Sequence, residues 1–413
     1  MQSLIDKLKE KNDYLRIDHK DIENKVLNLS YCYLDNDAIE MISIAMQNNL
    51  DIKELNLSNV SLDYEGVEIL AEGIAVNKNI TSLNLHNSHI NDEKLELICE
   101  ALILNTSLKK LNISDNAIKH DVEPLCKMIR DNANIQSLDI SYNDIEAKSM
   151  QIITNAIAVN NSIEELNLAC MGRISIQKID LAVIKTLSTN KHLSSINLSH
   201  NNIHAPQLVS VLECLADSKN IIALNLSQNF SLFQHNEFGS NISIEHREAI
   251  CRMLANNNIK VLNLADTGLS NDTLTILRDG IGNNTSIEHL DLSQNSLGYN
   301  NHYQVVESLC DIISNNKVLK SLNLAKNHFS DKSLRLFINA LDANNTMHVL
   351  DLSGHELGDR ATKKLNNILQ RNIDYAASAD QEEDVLYSAS EIALNENNEC
   401  VMIGDMIDGT DNV

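Results

Sequence analysis

A motif that keeps its register through most of the chain constrains the fold more than any other feature. Leu-x-Leu-x-x-Asn-x-Leu begins at Leu27, Leu55, Leu83, Leu111, Leu138, Leu166, Ile196, Leu224, Leu262, Leu290, Leu322 and Leu350. The steps are 28, 28, 28, 27, 28, 30, 28, 38, 28, 32 and 28 residues. Each copy has two halves. Lys53-Glu54-Leu55-Asn56-Leu57 alternates with period two and reads as a strand with its leucines inward. Glu65 to Val76 then places Val67, Leu70, Ala71 and Ile74 at helical spacing. A strand and a helix cannot bury their apolar faces alone, whereas stacked copies can. Aromatics are only 3% and Trp is absent, so the core must be built from aliphatic side chains.

The pattern resembles the leucine-rich repeat, in the longer-repeat, ribonuclease-inhibitor-like subfamily. The resemblance covers about 26–371. It implies an α/β solenoid of about 12 repeats, a horseshoe with an inner parallel sheet and outer helices. Residues 1–25 read as an N-terminal helical cap with Leu4, Ile5 and Leu8 on one side. Residues 372–413 carry eleven acids and no Lys or Arg, and read as a mostly disordered acidic tail. Cys32, Val60, Ser88, Met171, Thr267 and His355 replace the motif Asn.

Equivalent residues should form columns. Asn77, Asn105, Asn132, Asn160, Asn190, Asn283, Asn315 and Asn344 follow or end the repeat helices and read as stop signals that tolerate a left-handed backbone. The column between the two motif leucines is all Asn or Asp and reads as scaffold that pairs side chains along the sheet. Cys99, Cys126, Cys214, Cys251 and Cys310 share one helical position and read as packed core thiols. The column two places beyond the second motif Leu varies freely, with Tyr31, Tyr142, Cys170, His200 and Asp266 among its members, and is expected to rim the concave face.

Two repeats are longer than the rest. Ten extra residues between Asn229 and Asn241 bring Phe230, Phe233 and Phe238; four more after Leu290 bring Tyr299, His302 and Tyr303. Loops on a rigid scaffold that carry aromatics are binding anchors; the alternative is that the rings seal a distorted repeat. The candidate partner-binding residues are therefore Phe230, Phe233, Phe238, Tyr299, Tyr303, Tyr142, His200 and Asp266. A short insertion after Met171 carries Arg173.

The balance of 33 basic and 57 acidic residues gives a net charge of −24. This disfavours nucleic acid and favours a basic protein partner. No apolar run reaches the length of a membrane span, and the N-terminal stretch lacks the apolar core of a secretory signal. No Walker loop, GxSxG, HExxH or CxxC is present, so the expectation is a non-enzyme without metal or cofactor, monomeric, with reduced thiols in a cytoplasmic setting. Asn-rich, Pro-poor repeats with an acidic tail also resemble bacterial (Legionella-type) leucine-rich-repeat effectors. That resemblance implies delivery into a host cell without a cleavable signal and an export patch near Glu382 and Glu383. Two further resemblances are to the Ran GTPase activators, for which Arg173 is the candidate phosphate-stabilising group, and to a ribonuclease-inhibitor-like clamp on a cationic enzyme.

Overall fold

The first leucine of each motif copy, or Ile196 in the seventh, lies at the centre of a three-residue strand. The computed structural model describes residues 2–11, 23–171, 185–203, 211, 213, 218, 220–230, 251–252, 254, 258–299 and 303–380. The chain divides into two compact units, Met1–Asn202 and Ile203–Val413. The first contains β1 (Val26–Asn28), β2 (Glu54–Asn56), β3 (Ser82–Asn84), β4 (Lys110–Asn112), β5 (Ser137–Asp139), β6 (Glu165–Asn167) and β7 (Ser195–Asn197). The second contains β8 (Ala223–Asn225), β9 (Val261–Asn263), β10 (His289–Asp291), β11 (Ser321–Asn323) and β12 (Val349–Asp351). Within each unit the strands pair in parallel and in chain order. Leu27 stands opposite Leu55, Leu166 opposite Ile196, and Leu322 opposite Leu350. A parallel neighbour needs a crossover connection, and the repeat helix supplies it.

Both leucines of the strand motif point into the core; Leu27, Leu29, Leu55 and Leu57 are fully buried. The helices add their apolar stripe from the other side. In the Tyr64–Val76 helix, Val67, Leu70, Ala71 and Ile74 are buried, as their spacing predicts. Several helices start on side-chain caps: Asp35 accepts from the Ala38 N–H, Asp63 from Gly66, Asn91 from Lys94 and Ser270 from Thr273; those that follow Val122 and Glu146 do not. Gly73 is required by close approach, because a Cβ there would sit 3.0 Å from the Ser43 Cα.

The N-terminal cap contains a helix, α1 (Gln2–Lys11), that buries Leu4, Ile5 and Leu8. Residues 12–22 of the cap lie outside the described residues. At the other end the expected boundary moves. The last helix runs from Asp359 to Asp380, so position 372 falls inside it. Asn372 is fully buried and its side-chain amide donates to the Met347 carbonyl at 2.8 Å, which makes it part of the last repeat. The tail beyond Asp380 lies outside the described residues.

The helix-exit asparagines are corrected in two ways. Their backbone is not left-handed: Asn77, Asn105, Asn132 and Asn160 have φ between −69° and −87° and ψ between 122° and 141°. Their side chains do the work instead. The Asn105 amide donates to the carbonyls of Ile74 and Asn77 in the preceding repeat, and its oxygen accepts from the N–H groups of Ser107 and Leu108. In the second unit this role falls on Asn284 and Asn316, one residue after Asn283 and Asn315. Each such residue bridges two repeats and satisfies three or four buried or part-buried backbone groups: three at Asn77 and Asn284, four at Asn105 and Asn316.

Candidate functional site

The strands end in a turn whose backbone is fixed in every repeat. Tyr31, Asn59, Asn87, Asp115, Tyr142, Cys170, His200, Gln228, Asp266, Gln294, Lys326 and Gly354 all have φ between 47° and 78°. This is the freely varying column of the sequence. Only one of the twelve is Gly, so eleven side chains are held where L-residues are disfavoured. The register of the ladder imposes this. The Tyr31 N–H donates to the Ser58 carbonyl, Tyr142 to Ala169, Asp266 to Ser293 and Lys326 to Ser353. The backbone is thus specified and the side chain is not, which is why the column tolerates such different residues.

The next position explains the motif Asn. The Asn143 amide donates to the carbonyls of Ile113 and Ile140, while its oxygen accepts from the N–H groups of Asn116 and Ile118. Ser88 and Thr267 replace part of this with a hydroxyl that donates to Leu57 and Leu264 respectively. The Asn or Asp between the motif leucines acts mainly within its own strand: the oxygen of Asn28, Asn56, Asp139 or Asp351 accepts from the N–H two residues on. Pairing along the sheet, the expected role, occurs at Asn167 with Asp139 and at Asn323 with Asp291.

The candidate binding residues fall into separate places. In the first unit the rings of Tyr142 and His200 stack at 6.4 Å with a 20° interplanar angle, and Cys170 occupies the register position between them. In the second unit the longer repeat turns at Gly298, where φ is +79° and a Cβ would lie 2.6 Å from the Phe329 ring. Tyr299 follows, 59% exposed, its ring edge-on to His328 at 5.5 Å. The Asn271 side chain pins this turn, accepting from the Gly298 N–H and donating to the Tyr299 carbonyl. Tyr303 opens the next helix, 64% exposed, with the Lys332 ammonium 5.4 Å from its ring centre. Phe230 is half exposed and Asp266 is one of the left-handed turn residues. Phe233, Phe238, His302, Cys214 and Arg173 lie outside the described residues. The sequence reading passed over Tyr33 and Tyr64; both are exposed, as is Tyr31, in the first two repeats. The only sequence signal for them was three tyrosines within 34 residues of an aromatic-poor chain.

The titratable groups are arranged for structure. Burial pushes the Cys126 thiol up to about 12 and Cys310 to about 11, and raises Cys99 further. Such thiols stay protonated; Cys99 and Cys126 pack in the core as expected, whereas Cys251 and Cys310 of the same column are only half-buried. Burial also raises the Asp139 and Asp291 carboxyls, against the hydrogen bonds from Ser141 and Ser293 that lower them. Glu288 bridges Lys320 at 2.7 Å and Lys260 at 3.3 Å. Burial raises its carboxyl, but the two lysines together outweigh that and hold it below its ordinary value. Among the described residues, no group of three or more His, Cys, Asp or Glu converges as metal ligands would, and no helix is long and apolar enough to cross a membrane.

The family model described as "Leucine Rich repeat" matches residues 104–120, 131–151, 189–206, 283–300, 315–337 and 343–365. The chain carries leucine-rich repeats. Human "NACHT, LRR and PYD domains-containing protein 13" is 26% identical, over 61% of this chain and 25% of that protein. Rat "Capping protein, Arp2/3 and myosin-I linker protein 3" is 28% identical, over 44% of this chain and 12% of that protein. The chain thus spans a quarter or less of these curated relatives. Among solved structures, "Leiomodin-1 Actin-Binding Site 2 (ABS2)" aligns at 15% identity with a TM-score of 0.32, covering 49% of this chain and 92% of that one.

Proposed function

We propose that this chain is a non-catalytic leucine-rich-repeat scaffold that binds another protein through side chains on the strand-to-helix loop of its longer repeat. The exposure of Tyr299 and Tyr303 carries the reading. Rings that sealed a distorted repeat would be buried; these are 59% and 64% exposed, yet each has a neighbour that holds it, His328 or Lys332. Large amphipathic rings presented on a fixed backbone lose little entropy when a partner covers them, which is the physics of an interface hot spot. The net charge of −24 favours a basic partner. The exported-effector and GTPase-activator readings rest on Glu382, Glu383 and Arg173, which lie outside the described residues.

The test uses the full chain as bait in a cell lysate, beside a Tyr299→Ala/Tyr303→Ala variant. A partner retained by the first and lost by the second, at an unchanged melting temperature, is the expected result. Equal retention by both, or a variant that melts well below the parent, removes the anchor role and returns the two rings to a structural one.

A further inference from the structure

We infer that this chain self-associates, docking an acidic ridge on the helices of its second and third repeats against a basic ridge on the helices of the last two repeats of another copy. The inference goes beyond the scaffold reading and departs from the monomer expected of the sequence. The two ridges occupy the same positions of the repeat. In the Tyr64–Val76 and Asp92–Leu104 helices the second and fifth residues are Glu65, Glu68, Glu93 and Glu96. In the Asp331–Leu341 and Asp359–Asp380 helices they are Lys332, Arg335, Arg360 and Lys363. All eight residues are exposed. Two helices that come between these pairs in the chain carry mixed residues there, Lys148 with Gln151 and Gln304 with Glu307.

Helix geometry gives both ridges one shape. Residues three apart lie on one helix face, with Cβ atoms roughly 5–6 Å apart. Packed helices stand about 8–10 Å apart, and both pairs pack as neighbours. Each ridge is thus a two-by-two array of like charges, and the two arrays differ only in sign. Other charges on these helices are engaged elsewhere. Lys94 turns its ammonium onto the carbonyls of Leu62 and His89, at 2.7 and 2.9 Å. Lys364 faces Asp342 and Asn339. Asp331 and Asp359 open the basic helices, where a carboxylate complements the helix dipole. A second copy offers each array its complement at the repeat's own spacing, which a partner of unrelated architecture does not. Exposed ion pairs are weak singly, and four at one contact act together. The net charge of −24 opposes them at long range. That repulsion reaches roughly 30 Å at 0.01 M salt and about 8 Å at 0.15 M, whereas at 1 M the reach is about 3 Å and the facing arrays are screened as well. Self-association is therefore strongest at intermediate salt.

The test is sedimentation equilibrium of the full chain. A mass that rises with concentration at about 0.15 M sodium chloride is expected, with less association at about 0.01 M and 1 M. Two variants reverse one ridge each: Glu65→Lys/Glu68→Lys/Glu93→Lys/Glu96→Lys, and Lys332→Glu/Arg335→Glu/Arg360→Glu/Lys363→Glu. Circular dichroism checks that each keeps the parent's helix content. Each alone should lose self-affinity at least roughly tenfold. An equimolar mixture of the two should associate, because each supplies the array the other lacks. A chain with all eight changes keeps its net charge and should behave as the parent does. If a fourfold variant loses helix content, the milder pairs Glu68→Gln/Glu96→Gln and Arg335→Gln/Lys363→Gln replace it, and each should weaken association several-fold. A parent that stays monomeric at every salt concentration overturns the inference, and is the result if the chain's own acidic residues between 381 and 413 hold the basic ridge. Association that keeps growing up to 1 M salt, or a mixture that does not associate, overturns it too. Tyr299→Ala with Tyr303→Ala should leave self-association intact while it removes the lysate partner, so the two readings fail separately. Loss of self-association with that pair moves the contact to the tyrosine loop and sinks the ridges.

Discussion

Asparagine decides much of this structure, and it does so through its amide rather than its backbone. Asn105 satisfies two carbonyls of the preceding repeat and two N–H groups of its own. Asn105→Ala removes all four bonds and leaves their partners orphaned in the interior, so it should cost roughly 3 kcal/mol, measured as a lowered urea midpoint. Survival of the midpoint would mean that water replaces the amide. The recurrence of Asn at this position was plain from the sequence, but its mechanism was not. A stop signal and a cross-repeat bridge leave the same letter at the same place, and only the stacking of one repeat on the next separates them. Asp139 gives the opposite kind of prediction. Nine of the twelve repeats carry Asn at its position, and burial raises the Asp139 carboxyl above its ordinary value of 3.8. A group raised on folding adds stability that is fully present below that ordinary value and is lost as pH rises through the folded one. Asp139→Asn should therefore stabilise the protein at pH 7, by about 1 kcal/mol. Its advantage should shrink in thermal melts taken at successively lower pH, because protonation then removes the same charge. An advantage that grows on acidification would place the carboxylate's benefit, not its burial, in control.

At the scale of elements, the strands were legible and the ends of the chain were not. All twelve strands lie on the motif leucines because period-two alternation and the 28-residue step both specify them, and a slip of one residue would turn the leucines to solvent. The left-handed turn after each strand left no such trace, since Tyr, Asp, Cys, His, Gln and Lys all occupy it. Its conformation comes from the ladder bond to the next repeat, which is a property of stacking and not of the residue. The last helix was cut short in the sequence reading because the charge changes at Arg371, whereas the repeat continues to its bridging residue at Asn372. Two truncations separate these views. A chain ending after Asp380 keeps the Asn372 bond to Met347, and one ending after Arg371 loses it. The shorter chain should melt several degrees lower, because a terminal repeat shields all the repeats behind it. Equal melting would return the boundary to Arg371. The turn at Gly298 is a second element-scale case. Gly298→Ala would force a Cβ against Phe329 and the His328 carbonyl, so Tyr299 should lose its place beside His328. Loss of partner retention without loss of helix content, followed by circular dichroism, is the expected signature.

At the scale of the molecule, one property acts on stability and on recognition with opposite signs. A net charge of −24 on 413 residues repels itself in the folded state more than in the expanded one. Raising the ionic strength from about 0.01 M to 0.15 M shortens the screening length from roughly 30 Å to 8 Å. Repulsion between distant carboxylates then fades, while short contacts such as Glu288 with Lys320 at 2.7 Å are screened less. The melting temperature should therefore rise with added sodium chloride. The same screening weakens attraction between the acidic chain and the basic partner proposed for it, so retention of that partner should fall over the same range. Ion pairs that governed the fold would make both quantities fall together. A rise in stability beside a fall in partner retention would separate the roles of the charge: the leucine and asparagine ladders hold the repeats against it, and the proposed interface draws on it to attract a basic partner.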